Sequence, residues 1–540
     1  MRNSLFFFLF GLLLSLSFSS CRNDFEFEPS KGGLTFSKDT VFLDTVFSNI
    51  GSSTYRLKVY NKSDSDISIP KIQLGKGASS KYRMMIDGLT GEDLDHSGYG
   101  DGKIFNEVEL LAKDSLFIFI EVTADVAQAN PTDFLYTDKI EFHNISGLPQ
   151  TVELVTLIQD AYFIYPQRSE VNGEFLYETV NLGIDDQNEN IIATGSNLDE
   201  NDPANGNEYE WNNSKPYVIY GYAFVPDGKT LTIKPGARVH FHANSGLIIG
   251  KNAILKIDGT ISTTEALENE VIFEGDRLEP NFSDVTGQWG AIINYSTSSE
   301  NSINHLTIKN ATVGILSQNL ATISDSATPY LNIKNSQIYN CSNIGLLARK
   351  SNIVGSNLVI SNAGQASLAC TYGGSYNFTH CTFNNNWASS NQVAVLINNN
   401  YETNEAIYVK DLMNANFNNC IIYGGNQIEM ILDNKQSVDA VTAFNYKFTN
   451  CLVKFNNINN QYTTNVLYDF SNSSKYENCS IATNSTIFNP KFVDVDKNQL
   501  GLSEDLNLPF NTSFASLYPF DLNNVDRTNS TDLGAYQFVP

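Results

Sequence analysis

Long apolar stretches are missing from the chain after its first twenty residues. No segment beyond the run from Leu5 to Phe18 reaches the length of a membrane span, so any anchoring depends on the N-terminus. Positive charge is also scarce, with 34 Lys and Arg against 59 Asp and Glu and a net charge of −25. Because nucleic-acid binding requires a cationic surface, this balance argues against such a partner. The sequence lacks a Gly-x-Ser-x-Gly motif, a P-loop and a dinucleotide-binding fingerprint.

Stretches rich in Ala and Lys, which are typical of helices, are hard to find. Aromatic residues make up 12% of the chain, and Asn, Ser and Thr are abundant. This composition is typical of an extracellular β protein facing water or neutral sugars. At 540 residues the chain is too long for one ordinary core, so we expect two or three domains.

The N-terminus has the layout of a secretory signal peptide over residues 1–20. Arg2 gives a charged start, the apolar run follows, and Ser19 and Ser20 precede Cys21. A cysteine directly after small residues resembles a bacterial lipoprotein signal, in which it becomes the lipid-bearing N-terminus. The alternatives are ordinary secretion and an N-terminal transmembrane anchor. The acidic stretch in residues 21–33 resembles the surface-export signal of Bacteroidetes lipoproteins, and we interpret it as a tether.

Two regions with different strand patterns follow. Residues 34–160 alternate apolar and polar residues between turn signals, which predicts an immunoglobulin-like β-sandwich that serves as a spacer or support. Residues 161–215 are polar and are interpreted as a connecting segment. In residues 216–495, strands of three to five residues recur between Gly and Asp without helices, which is typical of a solenoid of stacked strands.

A short motif around five cysteines is the strongest internal repeat. An apolar or aromatic residue lies two places before Asn or His, and Cys follows, at Cys341, Cys381, Cys420, Cys451 and Cys479. In stacked coils identical residues form ladders about 4.8 Å apart. Cys then behaves as a small apolar residue of the interior, and we favour free thiols over disulfides. Cys370 lies outside the motif and is unassigned.

The chain end completes a resemblance to a known class of protein. Asp532-Leu533-Gly534-Ala535-Tyr536 resembles the terminal motif of bacterial surface β-helix proteins, and we interpret residues 496–540 as a cap. Together with the opening Leu-Thr-Ile-x-Pro-Gly coil, the chain resembles Bacteroidetes surface lipoproteins with right-handed parallel β-helix repeats of the pectate-lyase-like fold. The expected fold class is therefore all-β, with an immunoglobulin-like sandwich followed by a right-handed parallel β-helix.

Because that fold also includes polysaccharide enzymes, we searched for catalytic groups. A charged cluster at Glu274, Asp276 and Arg277 lies beside a predicted strand, where an ion pair that secures a turn is the alternative. His240 and His242 share one face of a strand and are the only histidines with metal-ligand spacing, although a structural role is the simpler interpretation. No metal is predicted, except that Ca²⁺ would be expected in a lyase.

Ligand binding without catalysis needs fewer specifically placed residues than an active site does. Exposed aromatic rings stack on sugars, and loops often carry such rings. The candidates in the longer insertions are Tyr372, Tyr376, Trp387, Tyr401 and Tyr408. The alternative is that about half of them pack the loops onto the solenoid.

Short Asp-Ser/Thr motifs resemble the O-glycosylation signal of exported Bacteroidetes proteins. The acceptors would be Thr40, Thr45, Ser115 and Ser326. We therefore expect a lipoprotein anchored in the outer membrane and facing the cell exterior. Its predicted function is non-catalytic binding of a glycan or another envelope partner. A polysaccharide lyase or glycoside hydrolase, and a purely structural protein, are the alternatives.

Overall fold

The computed structural model describes residues 26–129, 134–437, 441–484, 486–528 and 532–540. The predicted signal peptide and Cys21 lie outside these residues. The chain divides into two compact units, Met1–Asp160 and Ala161–Pro540, which are described separately below. Both are built almost entirely from β-strands.

The first unit consists of two sheets that share one hydrophobic core. Its strands are β1 (Glu28–Pro29), β2 (Thr35–Phe36), β3 (Thr40–Phe47), β4 (Tyr55–Tyr60), β5 (Ile67–Leu74), β6 (Tyr82–Ile86), β7 (Ile104–Leu110), β8 (Ser115–Val122), β9 (Leu135–His143) and β10 (Gln150–Gln159). Strands β1-β5-β9-β10-β3, with β7 on β5, form one sheet, and β2-β4-β8-β6 form the other. The short 3₁₀ turns are Gly77–Ser79 and Val126–Gln128.

Alternation of inward and outward side chains builds that core. In β8 the buried residues Leu116, Ile118 and Ile120 alternate with more exposed ones, as expected when one face of a sheet is covered. They belong to the same cluster as Leu154 of the opposite sheet. Tyr82 lies inside this cluster, where its hydroxyl donates to the carbonyl of Tyr136 at 2.8 Å.

The second unit contains a large, mostly parallel sheet of 27 strands, together with three small antiparallel hairpins. Its strands are β11 (Tyr162–Ile164), β12 (Arg168–Val171), β13 (Glu174–Tyr177), β14 (Thr179–Ile184), β15 (Asn190–Asn197), β16 (Glu210–Trp211), β17 (Tyr217–Ile219), β18 (Tyr222–Val225), β19 (Thr230–Ile233), β20 (Arg238–Phe241), β21 (Gly246–Ile249), β22 (Ile254–Asp258), β23 (Val271–Gly275), β24 (Trp289–Asn294), β25 (Ser302–Asn304), β26 (Leu306–Lys309), β27 (Ala311–Ser317), β28 (Tyr330–Cys341), β29 (Ile344–Ala363), β30 (Ala366–Thr379), β31 (Thr382–Asn385), β32 (Val393–Asn398), β33 (Asn400–Glu402), β34 (Ile407–Val409), β35 (Leu412–Asn418), β36 (Ile421–Gly424), β37 (Met430–Asp433), β38 (Lys447–Thr449), β39 (Leu452–Lys454), β40 (Tyr476–Glu477), β41 (Ser480–Ala482), β42 (Phe492–Asp494) and β43 (Gln499–Leu502).

The pairing pattern sorts most of these strands into three parallel stacks, because a strand pairs with the strand about three positions further along the chain. Stack A comprises β11, β17, β20, β23, β26, the end of β28, the end of β29, β31, β36, β39 and β41. Stack B comprises β15, β18, β21, β24, β27, the starts of β29 and β30, β32 and β37. Stack C comprises β16, β19, β22, β25, the start of β28, the middle of β29, the end of β30, β35, β38 and β40. The segment 161–215, interpreted from sequence as a connection, contributes β11, β15 and β16 to these stacks.

Side chains that point between the stacks form one continuous interior. Aromatic rings occupy equivalent positions in successive coils, with Phe378, Phe417, Phe448 and Tyr476 spaced 5.2, 4.9 and 5.5 Å between ring centroids. These are the aromatic residues of the cysteine motif. The motif therefore marks an interior ladder, as identical side chains in stacked strands would produce.

A single residue turns the chain from stack C into stack A, at what we call the C–A corner. It has a positive φ between 46° and 53° in each of seven coils, at His305, Asn335, Asn357, His380, Asn419, Asn450 and Asn478. Asn tolerates this left-handed conformation better than other residues that carry a Cβ. Neighbouring side chains also bond along the stack, as where Asn357 Nδ2 donates to Asn335 Oδ1 at 2.9 Å.

The residue after this corner is the cysteine in the later coils. The pairing of β31, β36, β39 and β41 places Cys381, Cys420, Cys451 and Cys479 next to one another in one ladder. All four are free thiols, and Cys479 alone of them is not fully buried. Cys370 is also a free, buried thiol and lies in the interior cluster.

Cys341 does not belong to this ladder, which corrects the interpretation of five equivalent cysteines. Its Asn340 lies at the turn from stack A to stack B, and Cys341 pairs with Ala363. Leu358 occupies the position that would continue the ladder before Cys381. The spacing of 40 residues between Cys341 and Cys381 therefore joins two different corners.

The C-terminal segment, described over residues 486–528 and 532–540, lies along the outer face of stack A. Its apolar residues Leu500 and Leu522 pack on Val359, and Leu533 packs on Ile421. The segment contains the 3₁₀ turn Val495–Lys497 and the α-helix α1 (Thr512–Leu517); other 3₁₀ turns of this unit are Pro280–Phe282 and Val466–Tyr468. In the described residues, no helix combines the length and apolarity needed to cross a membrane.

Candidate functional site

The five aromatic residues proposed from sequence occupy two kinds of position. Tyr372 and Tyr376 are fully buried, and the Tyr376 hydroxyl donates to the carbonyl of Gly373 at 2.7 Å inside the interior. Tyr376 lies two residues before the interior Phe378, so both side chains point inward. Neither ring offers a face to solvent, which corrects their assignment as rings on which a sugar could stack. Trp387, Tyr401 and Tyr408 are half-buried.

Tyr401 and Tyr408 belong to a hairpin at the turn from stack B to stack C, which we call the B–C corner. They are cross-strand partners in β33 and β34. The Tyr401 ring lies 5.7 Å from the ring of Tyr372, which is the floor of this corner. The Tyr372 amide donates to Asn398 Oδ1 at 2.9 Å and so fixes the start of the insertion that carries the hairpin.

The B–C corner varies in length from coil to coil. Residues 318–329 and 399–411 are insertions, whereas the two coils between them turn within the continuous strands β29 and β30. Three coil steps of about 4.8 Å separate the two insertions by about 14 Å. The tight corners carrying Arg349, Lys350 and Tyr372 therefore lie between two longer segments.

Two side chains of the tight corners contact the flanking insertions. Arg349 Nη1 donates to Gln318 Oε1 at 2.9 Å, and its guanidinium lies 5.7 Å from the centroid of the Tyr401 ring. Lys350 Nζ donates to the carbonyl of Asp325 at 2.7 Å. The B–C corner thus combines half-buried tyrosines with cations, a combination that suits stacking and hydrogen bonding to a sugar.

The charged cluster predicted at Glu274, Asp276 and Arg277 is larger in the structure than in the sequence. β20 and β23 pair so that His240 is opposite Glu274 and His242 is beside Asp276. His242 Nδ1 lies 2.7 Å from Asp276 Oδ2, and this hydrogen bond raises the pKa of His242. The imidazole is also stacked on Tyr220, with 4.3 Å between ring centroids.

The buried half of the same cluster joins three strands of stack A. Glu274 lies 3.7 Å from His240 Nδ1 and 2.5 Å from Lys309 Nζ. Burial lowers the pKa of His240, which favours the neutral imidazole. Arg277 pairs with Glu279 at 3.0 Å and lies over the Phe282 ring, and its charge opposes the rise in the pKa of His242. That pairing matches the ion pair that secures a turn.

Residues arranged so that they could bind a metal ion are found away from the charged cluster, in the first unit. Within the described parts of the chain, the single group of three or more residues whose ligand atoms lie within 4.8 Å of one another is Asp93, Asp95 and Asp101 in the first unit. Carboxylate oxygens of this kind could hold a hard cation such as Ca²⁺. His240 and His242 are not part of such a group; their ring nitrogens face carboxylates of the next strand.

A second buried ionisable group was not found from sequence. Glu429 is fully buried and accepts the amides of Ala394 at 2.8 Å and Asn426 at 2.6 Å. Burial raises its pKa to about 8, and the nearby Lys454 opposes that shift. These contacts tie adjacent coils together, which indicates a structural role.

The proposed glycosylation acceptors differ in exposure. Ser326 is exposed at the tip of the insertion 318–329, whereas Thr40, Thr45 and Ser115 are half-buried at or within strands of the first unit. The hydroxyl of Ser326 is thus the most accessible of the four.

Sequence reasoning missed the cations of the B–C corner and the partners of the charged cluster. Arg349 and Lys350 are adjacent in the sequence, but their position beside the tyrosines depends on pairing between coils. His240 and Lys309 come to Glu274 from strands more than 30 residues away in either direction. Both groups of residues are brought together by the strand register, which cannot be read from the sequence.

Comparison with known proteins does not identify a family. No protein-family profile and no curated protein matches the chain. Similar solved structures include the PapD-like domain 7 of human CEP192, with 14% identity over 27% of this chain and 96% of that one and a TM-score of 0.15. The E. coli chaperone DraB has 12% identity over 32% and 85%, with a TM-score of 0.16. A Porphyromonas gingivalis W83 protein of unknown function has 14% identity over 26% and 61%, with a TM-score of 0.15. These TM-scores are too low to support a functional argument.

Proposed function

We propose that the second unit is a right-handed parallel β-helix and that the first is an immunoglobulin-like sandwich. The repeated A–B–C order of parallel stacks around one interior supports the β-helix. Two sheets around a common core support the sandwich. The handedness and the detailed sandwich topology are part of this proposal.

We further propose that the protein is a lipoprotein of the outer membrane that faces the cell exterior, with Cys21 as its lipidated residue. The apolar run, the small residues before Cys21 and the acidic stretch after it support this placement. Replacement of Cys21 by Ser should move the protein from the membrane fraction to the soluble fraction and abolish labelling by a fatty-acid analogue. Retention of the label in Cys21→Ser would contradict the proposal.

The function proposed for the second unit is non-catalytic binding of a glycan at the B–C corner. The observation that supports it is the hairpin pair Tyr401 and Tyr408, held half-exposed next to the guanidinium of Arg349. Aromatic rings of this kind stack on the apolar faces of sugars, and the insertions on either side restrict where an extended chain can lie. A protein partner in the envelope is the other ligand class considered.

The test is a screen of the mature chain, without its first 21 residues, against plant, algal and host polysaccharides. Each polymer is scored for retention and for new reducing or unsaturated ends, with Ca²⁺ and with a chelator. Retention without new ends is the expected result. A chain that retains no polymer would direct the search to protein partners or to a structural role, and would contradict glycan binding.

A second candidate function is a polysaccharide lyase or glycoside hydrolase at the charged cluster. The observation in its favour is the His242–Asp276 pair, because a carboxylate that orients an imidazole is a common arrangement for proton transfer. Glu274 and Lys309 lie on the same face of stack A. New chain ends that disappear in His242→Gln but persist in Tyr401→Ala would establish this function instead.

A further inference from the structure

We infer that the glycan bound at the B–C corner is anionic, with its carboxylate or sulfate groups contacting Arg349, Lys350 and Lys410. This inference rests on the proposed function and names the class of ligand. Carboxylates of uronic acids and sulfate esters share the chemistry that such cations recognise.

In the described part of the chain, the three cations are not held in ion pairs, although the carboxylate of Asp325 lies close enough to act on Lys350. Among the described residues, none of the charged nitrogens of Arg349, Lys350 and Lys410 forms an ion pair; Arg349 donates to an amide oxygen and Lys350 to a backbone carbonyl. Burial lowers the pKa of Lys350, and the proximity of Lys410 lowers it further, while the charge of Asp325 opposes the shift. Two like charges at close range stabilise an anion that lies near both of them.

The acidic residues of the same corner are engaged in other contacts. Asp325 pairs with Lys251 at 2.8 Å, and Asp186 accepts the backbone amides of Ile323 and Ser324. Asp411 accepts the amide of Ala443 at 2.8 Å. Asp433 accepts from Asn400 Nδ2 at 2.8 Å and pairs with Lys435. Among the described residues, Glu402 and Glu405 are exposed on the hairpin insertion and form no ion pair with the three cations. The cations of the corner therefore stay available, while Asp186, Asp325 and Asp411 are engaged in contacts that hold the loops.

A buried hydroxyl provides an independent sign of a missing ligand atom. Tyr372 Oη is buried next to Tyr401 and has no hydrogen-bond partner among the described residues. Burial raises the pKa of Tyr372 to about 12, so the group stays a neutral phenol that can donate one hydrogen bond. Unsatisfied buried donors are costly, and an acceptor oxygen of a ligand entering beside Tyr401 would satisfy this one.

The net negative charge of the protein means that binding of a polyanion has to come from a local group of cations. With a net charge of −25, the surface as a whole repels polyanions, so retention of one reports a local cationic site. The experiment uses two matched pairs of polymers: polygalacturonate with its methyl ester, and dextran sulfate with unmodified dextran. Within each pair, the backbone is constant and the anionic group changes.

Two triple variants of the mature chain are compared on these polymers. The test variant carries Arg349→Gln, Lys350→Gln and Lys410→Gln. The control carries Lys229→Gln, Lys234→Gln and Lys256→Gln, which remove the same charge from partly or fully exposed positions of early coils. Unfolding temperatures of both variants are measured first, so that a loss of binding is compared between folded proteins.

The expected result is retention of at least one anionic polymer over its neutral partner. The test variant should bind about tenfold more weakly and the control within about twofold of the unaltered chain. Equal binding of the neutral partner would overturn the inference while leaving glycan binding intact. If the control variant loses as much affinity for the anionic polymer as the test variant, the binding depends on the total charge of the protein and not on the B–C corner, and the inference is overturned. The inference would also be overturned if the chain binds other, neutral glycans but none of these four polymers. If the chain binds no glycan at all, the proposed function itself would be contradicted.

Discussion

The C–A corner and the B–C corner both turn the chain from one parallel stack to the next, but their residues make different contacts. At the C–A corner, seven coils turn through one residue with positive φ, and the side chains bond to one another and to the C-terminal segment. At the B–C corner, tight turns alternate with insertions whose tyrosines and cations are half-exposed. Contacts repeated from coil to coil stabilise the fold, whereas contacts that vary between coils leave groups available for a ligand.

Arg527 illustrates the structural side of this comparison. It is fully buried in the C-terminal segment and donates to Asn357 Oδ1 and to the carbonyl of Gly534, both at 3.0 Å. Burial lowers its pKa to about 10, while the nearby Asp521 opposes this, so the guanidinium stays charged at neutral pH. The segment is thus fixed to the C–A corner by a charged group with directed hydrogen bonds.

The largest expected effect follows from removing that group. Arg527→Ala should lower the free energy of unfolding by about 3–5 kcal/mol, because it breaks a buried polar network. Arg349→Ala, at the B–C corner, should change it by about 0.5 kcal/mol or less. Denaturant unfolding of both variants measures the difference. Equal losses would show that the two corners do not differ in their contribution to stability.

The next effect concerns the backbone of the C–A corner. Asn419 has φ of 50°, and its side chain both donates to and accepts from the backbone of Asn511. Asn419→Ala should cost about 2–3 kcal/mol, the sum of strain and lost hydrogen bonds. Asn419→Gly keeps the favourable backbone and should cost less than Asn419→Ala. If both substitutions cost the same, backbone strain contributes nothing at this corner.

A pH dependence should arise at the same corner. His380 is fully buried beside Asn419 and Arg527, and burial, together with the charge of Arg527, lowers its pKa well below 6.5. The unfolded chain binds this proton more readily, so the stability contributed by the neutral imidazole is present above pH 6.5 and is lost as pH falls below it.

The expected loss between pH 7 and pH 5 is about 1–2 kcal/mol. His380→Asn places the residue found at the same position in five other coils and should flatten this part of the stability profile. Unfolding at a series of pH values compares the two proteins. An unchanged profile in His380→Asn would assign the pH dependence to other groups.

A smaller effect on stability than those at the C–A corner is expected for the hairpin of the B–C corner. Tyr401→Ala removes a half-buried ring from a two-stranded hairpin and should lower the free energy of unfolding by about 1 kcal/mol or less. Denaturant unfolding measures this value. A loss as large as that of Asn419→Ala would indicate that the hairpin belongs to the packed core.

Much of the fold could be predicted from local patterns. The aromatic-x-Asn-Cys motif predicted an interior ladder, because a residue repeated at one position of stacked strands lies next to its equivalents in the neighbouring coils. The same reasoning failed for Cys341, because Asn also turns the chain from stack A to stack B, at Asn340. The alternation of side chains along a strand could have predicted that Tyr376 is buried, since it is two residues from the interior Phe378 in the same strand.

The site was less predictable because it depends on register and on loop lengths. Arg349 and Tyr401 are 52 positions apart and meet through two coil steps and an insertion. Arg527 reaches Asn357 across 170 residues. No local pattern encodes such contacts, whereas the predicted aromatic residues of the insertions, Tyr401 and Tyr408, needed only their position in a long polar loop.

The most direct test of glycan binding at the B–C corner compares affinities of the unaltered chain, of Tyr401→Ala/Tyr408→Ala and of Asn419→Gly for a retained polysaccharide. The double tyrosine variant should bind at least about tenfold more weakly with little change in unfolding temperature. Asn419→Gly should be less stable but bind normally wherever it is folded. Full affinity in Tyr401→Ala/Tyr408→Ala would contradict the placement of the ligand at this corner.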